Sequence, residues 1–317
     1  MQREGSPWQG LGVVTLKELS DHLTSWRMFV LEWLVAITAV VSVYGAIQQI
    51  RDSTAEDPFL LLRLFTRGTP LPFVALLSFL VPLVSIGLGF DLVNSEHNQR
   101  TLSRVLSQPI YRDALLFGKF LAGLATMAIS LLALWLLLIG VGLVTLGIPP
   151  SGEEVGRALV FLLVTIAYAG VWLALSLLFS ILFRSAATAA LAALGLWLFL
   201  TILWPLMMPL VANLVAPATD DVLALLDTQL ILGRISPSAL FNEIVTVILD
   251  PSLRSTQQSL FAQMGLMLLE RGAVPGAPIP LLQSLLVVWG QFVGLIAATI
   301  LLFVAGYVVF QRQEVRA

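Results

Sequence analysis

Glu96, Arg100, Thr101, Leu102, Val105, Leu106, Ser107, Pro109 and Arg112 fall in one short polar stretch, Ser95–Asp113, and Gly118 and Lys119 follow it closely. Bond-making chemistry is not what this stretch offers. The chain has no cysteine, which removes thiolate nucleophiles, thiolate metal sites and disulfides. No hydrolase triad, paired-carboxylate site or metal cluster with usable spacing occurs around the two histidines, His22 and His97. Gly118-Lys119 does not complete a phosphate-cradling loop, because Asp113 stands where the first glycine is required and Phe120 where a serine or threonine is. What remains is recognition: basic groups and apolar side chains presented together to another protein.

The local pattern supports that reading. Ser95 can cap a helix from Glu96, and Leu102, Val105 and Leu106 share one face of it. Pro109 ends the helix, Ile110 and Tyr111 turn, and Asp113 caps a new helix that carries Lys119 onward. A turn between two membrane spans needs only a few residues, so the excess length suggests a docking surface. The basic residues also serve as topology markers.

The elements that must position this stretch are long and apolar. Of 317 residues 58% are hydrophobic and 11% charged, against about 25% charged in soluble domains. The composition indicates an integral membrane protein, and the length of its uninterrupted apolar runs makes it all-α rather than a barrel. A net charge of −2 gives no field for nucleic acid. Residues 1–10 lack an apolar core, so no cleavable signal peptide is expected. Six runs have the length of a membrane-spanning helix: Met28–Ile50, Leu71–Val93, Leu115–Leu146, Ala158–Phe183, Ala186–Ala212 and Leu281–Phe310. An even number of spans leaves both termini on the side of Ser95–Asp113. Arg3, Lys17, Arg27, Arg100, Arg104, Arg112, Lys119, Arg184, Arg312 and Arg316 lie there, whereas the other side is richer in acids. The bias of basic residues toward the cytoplasm places both termini inside a plasma membrane, in bacteria the inner membrane.

Two further pieces complete the layout. Val13–Trp26 sets Val13, Leu16, Leu19, Leu23 and Trp26 on one face and charged groups on the other, as in a helix lying in the membrane interface. Val211–Pro280 reads as an external segment with three amphipathic helices, at Val222–Ile235, Ser238–Leu249 and Gln257–Leu269. Their stripes are expected to form a helical cap on the outer ends of the spans, with Ser236 as a helix cap before Pro237.

The order Glu96, Thr101-Leu102, Leu106-Ser107-Gln108-Pro109-Ile110-Tyr111-Arg112, Gly118-Lys119 resembles the intracellular loop of ABC-2 type transporter permeases. "FDLVNSE" before it and "SPSALFNEI" at Ser236–Ile244 resemble the NosY-like branch, permeases associated with multicopper enzyme maturation. The chain departs from the family in having Arg100 where glycine commonly precedes Thr-Leu. The resemblance implies one transmembrane domain over residues 1–317, paired with a second copy or a homologous permease. It also implies a separate cytoplasmic ATPase, docked on residues 95–113, that carries the ATP and magnesium. This chain would bind no cofactor. The implied activity is ATP-driven transport, with export as the leading direction. The alternative is a non-transporting permease that passes ATPase motion to an external, periplasmic partner.

Four local features carry expectations of their own. Ala186, Ala189, Ala190, Ala193 and Gly195 form a small-residue pattern suited to close helix packing, within the chain or against a second copy. The family resemblance implies that this span contributes to a dimer interface. Glu32 and Asp91 near the inner span ends are expected to pair with Arg27 or Arg104. Met207, Met208, Met264 and Met267 read as apolar filler rather than copper ligands.

Overall fold

The computed structural model describes residues 10–52, 59–95, 112–147, 149–215, 222–253 and 278–312, and every regular element among them is helical. In chain order these are α1 (Leu11–Leu23), α2 (Trp26–Asp52), α3 (Leu60–Thr66), α4 (Phe73–Gly89), α5 (Arg112–Leu146) and α6 (Gly152–Leu182). Then α7 (Ala186–Leu198) runs through a π-helical turn, Phe199–Leu203, into α8 (Trp204–Val215). After these come α9 (Val222–Gly233), α10 (Pro237–Leu249) and α11 (Leu281–Arg312). The helices α2, α5, α6, α7–α8 and α11 are long and apolar enough to cross a membrane. With 17 residues, α4 is about 26 Å long, close to the bilayer's apolar thickness. The protein is a multi-pass, all-helical membrane protein.

Helix boundaries follow local chemistry more than hydropathy. The start of α6 precedes its apolar run because Ser151 and Glu154 form a reciprocal capping box. The start of α4 is set by Pro72, whose extended backbone precedes the first turn. The π-helical turn ends two residues before Pro205, which cannot donate to the preceding turn.

At the centre stands α6, packed against α4, α5, α7, α10 and α11. Its Phe161, Tyr168 and Trp172 are fully buried. Phe161 meets Phe65 of α3 and Phe73 of α4 at ring distances of 5.4 and 6.3 Å. One end of the bundle carries α1, the start of α5 and the end of α11. The opposite, hairpin end carries the last turn of α10 and the starts of α6 and α11.

Two findings depart from the sequence expectations. Leu60–Thr66, expected as external loop, is a helix with Leu61, Leu62, Leu64 and Phe65 buried. The expected helical cap is not a cap: α9 and α10 form a hairpin bent by 116°, and α10 is packed into the bundle against α6 and α11. Phe241, Ile244, Val245, Val247, Ile248 and Leu249 are all buried. The apolar stripe of α10 therefore buries against helices rather than on their ends. The third helix expected in this segment, Gln257–Leu269, lies outside the described residues.

Candidate functional site

Glu96, Arg100, Thr101, Leu102, Val105, Leu106, Ser107 and Pro109 lie outside the described residues, and Arg112 is described only as the first residue of α5. The structure does show what holds the two ends of their segment. On the leading side, the Ser180 hydroxyl of α6 accepts the Val93 and Asn94 amides at 3.0 and 3.3 Å. Asp91 pairs with Arg27, whose guanidinium lies over Phe90. The Ser95 hydroxyl donates back to the Asp91 carbonyl at 2.7 Å. On the trailing side, Asp113 accepts from Tyr307 at 3.0 Å and from Gln311, which ties the start of α5 to the end of α11.

Gly118 and Lys119 then seat α1. A Cβ on Gly118 would lie 2.7 Å from Val14 Cγ1, so only glycine lets α1 lie this close. Lys119, 3% exposed, donates to Glu18 Oε1 of α1 at 3.2 Å. Lys17 reaches the same carboxylate oxygen at 3.1 Å. Burial alone pushes the Glu18 carboxyl up, but the Lys119 and Lys17 charges outweigh it and hold the group below the usual carboxylate range. Burial also pushes the nearby His22 down. Segment 96–111 is thus bracketed by contacts to α1, α2, α6 and α11.

A second constellation lies at the tip of the α9–α10 hairpin. Tyr168 sits 16 residues into α6, about 24 Å from its start and near mid-helix. Its hydroxyl donates to the Ser78 carbonyl at 2.9 Å. That carbonyl lacks its helical donor because residue 82 is proline. With the Tyr168 proton so committed, Ser238 of α10 must donate to Tyr168 at 2.8 Å, and Thr201 to Ser238 at 3.0 Å. A directed chain therefore runs from the π-helical turn through α10 and α6 into α4. The ring of Tyr168 also stacks on Phe241 of α10, centroids 4.5 Å apart. Beside this chain, Glu243 accepts from Arg234 at 3.1–3.3 Å and from Gln291 of α11 at 2.9 Å. A cavity of about 270 Å³ lies between α8 and the hairpin, lined by Thr201, Trp204, Gln229, Ser236 and Glu243 among others. Ser236 precedes Pro237 as expected, but its hydroxyl makes no capping bond and is buried without a partner.

The hairpin end is held by Arg157, Glu153 and Glu154, charged side chains that the sequence reading leaves in loops. Arg157, 0% exposed, donates to the Ile248 and Ile279 carbonyls at 2.7 and 2.6 Å, to Ser284 at 3.1 Å and to Glu153 at 3.0 Å. Glu153 in turn accepts the Leu281 amide in the first turn of α11 at 2.7 Å. Glu154 accepts the Leu61 amide in the first turn of α3 at 2.8 Å. These groups complete helix ends that the fold places inside protein. Pro82, within an apolar run, is the one sequence signal that could have pointed to Tyr168, because it predicts an orphaned Ser78 carbonyl.

The small-residue pattern divides. Ala189 and Ala193 are fully buried, with α7 packed against α6 and α4, while Ala186 and Ala190 flank the contact. Gly195 is exposed, and a Cβ added there would meet nothing within 4 Å. Along the rest of the span, Leu191, Leu198, Ile202, Leu206, Leu210 and Leu214 form an exposed apolar stripe. Glu32 does not pair with Arg27; it accepts from Ser130 of α5 at 2.6 Å. Among the described residues, no group of three His, Asp or Glu side chains could hold a metal ion.

A search of curated proteins finds no match to this chain. A family model described as ABC-2 family transporter protein matches residues 13–315, and the chain belongs to that family.

Proposed function

We propose that this membrane subunit of an ABC transporter works as an exporter permease of the NosY-like branch, driven by a cytoplasmic ATPase that docks on residues 95–113. The observation that carries the reading is the double anchoring of that segment. Its leading end is held by Ser180 of α6 and its trailing end by Tyr307 and Gln311 of α11, with α1 locked to α5 just beyond. A force applied to the segment is therefore delivered to several helices at once. The ATP, the magnesium and the hydrolytic groups belong to the partner.

A second copy, or a homologous permease, packs on the exposed stripe from Leu191 to Leu214, with Ala189 and Ala193 reserved for contacts within the chain. The alternative reading, a mechanical relay to an external partner, draws support from the burial of α10 and the directed chain that couples it to α4, α6 and the π-helical turn.

The orientation test uses the absence of cysteine. Arg184→Cys, exposed between α6 and α7, reacts with an impermeant maleimide only after the cytoplasmic face is opened. Ser252→Cys, exposed after α10, reacts in intact cells. The reverse pattern rejects a cytoplasmic docking segment.

A further inference from the structure

A cavity of about 340 Å³ opens on the side of the bundle among α1, α2, α4 and α5. It is separate from the hairpin cavity and from the anchors of segment 96–111. Its volume lies within the range of small-molecule sites, about 300–1,000 Å³. Leu23, Met28, Val35, Val81, Met127 and Leu134 supply most of an almost wholly apolar wall. One charged side chain, Glu32, faces this wall, with Ser130 beside it. The described lining residues include no cation. Arg27, the nearest in sequence, is committed to Asp91 and stacked over Phe90.

A carboxylate in a slot that is otherwise hydrocarbon selects for an opposite charge joined to an apolar body. Ser130 engages Oε1 of Glu32, and the second carboxylate oxygen is the acceptor that an ammonium requires. Depth supports the same ligand. Glu32 lies six residues after Trp26, about 9 Å along α2. Trp26, Phe29 and Trp33 are exposed on this stretch, and their rings contact in sequence at 5.3 and 6.1 Å. Such aromatic groups mark the membrane–water interface. A head bound to Glu32 therefore sits just below headgroup level, while the chain runs inward past Leu134 and Leu137.

We propose that this cavity is a binding site for a single-chain amphiphile with a small ammonium head, entering from the leaflet at the α1 end. The site is intrinsic to one copy of the chain and does not depend on where the ATPase docks.

The test is native mass spectrometry of the purified chain in a non-ionic detergent, with dodecylamine as probe at neutral pH and dodecanol and dodecanoate as comparisons. The expected result is one bound dodecylammonium, held at least about tenfold more tightly than either comparison, as one ion pair in a low-dielectric slot allows. Glu32→Gln loses that preference and Glu32→Asp keeps it. Ala133→Phe, which fills the cavity, abolishes binding of all three probes while leaving Glu32 in place. Equal binding of dodecanol and dodecylammonium by the wild type overturns the proposal. So does unchanged dodecylammonium binding by Glu32→Gln or by Ala133→Phe.

Discussion

The two ends of the bundle use charge in different ways. At the α1 end, charged groups meet other side chains across elements: Lys119 with Glu18, Arg27 with Asp91, Asp113 with Tyr307 and Gln311. At the hairpin end, Arg157, Glu153 and Glu154 are mainly spent on backbone groups, namely the carbonyls of Ile248 and Ile279 and the amides of Leu281 and Leu61. Exposed Arg27 can exchange partners as helices shift, whereas buried Lys119 is held to Glu18. A backbone group buried at a helix end has no substitute donor or acceptor and fixes its neighbours in place. The contrast is therefore one of partner: side chain to side chain at the end that flanks residues 96–111, side chain to backbone at the end that holds the hairpin and α3.

The largest expected effect breaks the hairpin end. Arg157→Gln leaves two buried carbonyls and Glu153 short of donors, at a cost of about 3–5 kcal/mol, the scale for a broken buried charge network. Thermal unfolding in detergent should show a clear drop in midpoint. An unchanged midpoint would mean that water or other groups replace the guanidinium.

Arg157 also shows where a sequence stops being informative. The six apolar runs each fall on a helix because hydropathy depends on composition alone. Arg157 is legible only as a loop cation, since its acceptors are carbonyls 91 and 122 residues away, at Ile248 and Ile279. The hairpin reads as an external cap because Arg234 and Glu243 make the segment polar on average. In the fold they pair with each other, Glu243 also accepting from Gln291, which leaves the apolar stripe of α10 free to enter the bundle. Leu60–Phe65 is too short to register as an element, although its apolar density carries the signal. Gly118-Lys119 stands out by motif, but its contact with Val14 and Glu18 requires knowing that α1 folds back along α5.

The α1 end is sharpened by Glu18→Gln, which removes the carboxylate facing buried Lys119. The expected cost is about 3 kcal/mol, and Glu18→Gln with Lys119→Met should recover much of it in a double-mutant cycle. Because the Glu18 pKa is depressed in the fold, its stabilisation is present above the unfolded carboxylate value. It is lost as pH falls through the folded one, so acid should release α1. Additive effects of the two substitutions would remove the pair from the account.

Tyr168→Phe is the smallest of these changes. It leaves the Ser78 carbonyl unsatisfied and Ser238 with Thr201 as its remaining partner in this chain, worth about 1–2 kcal/mol. Pro82→Ala restores a helical donor for Ser78, so the Tyr168→Phe penalty should shrink in that background. A penalty of equal size in both backgrounds would show that the hydroxyl serves Ser238 alone.

The central claim is that an ATPase docks on segment 95–113 of this ABC-2 family protein. It is tested most directly by capturing the cognate ATPase subunit with tagged wild type, Leu102→Asp and Leu106→Asp chains from membranes containing equal amounts of each. The account predicts that the wild type retains the ATPase. Both variants should lose it while remaining inserted, because a carboxylate placed on the apolar docking face would be buried without a partner. Retention of the ATPase by both variants at wild-type levels would contradict the claim.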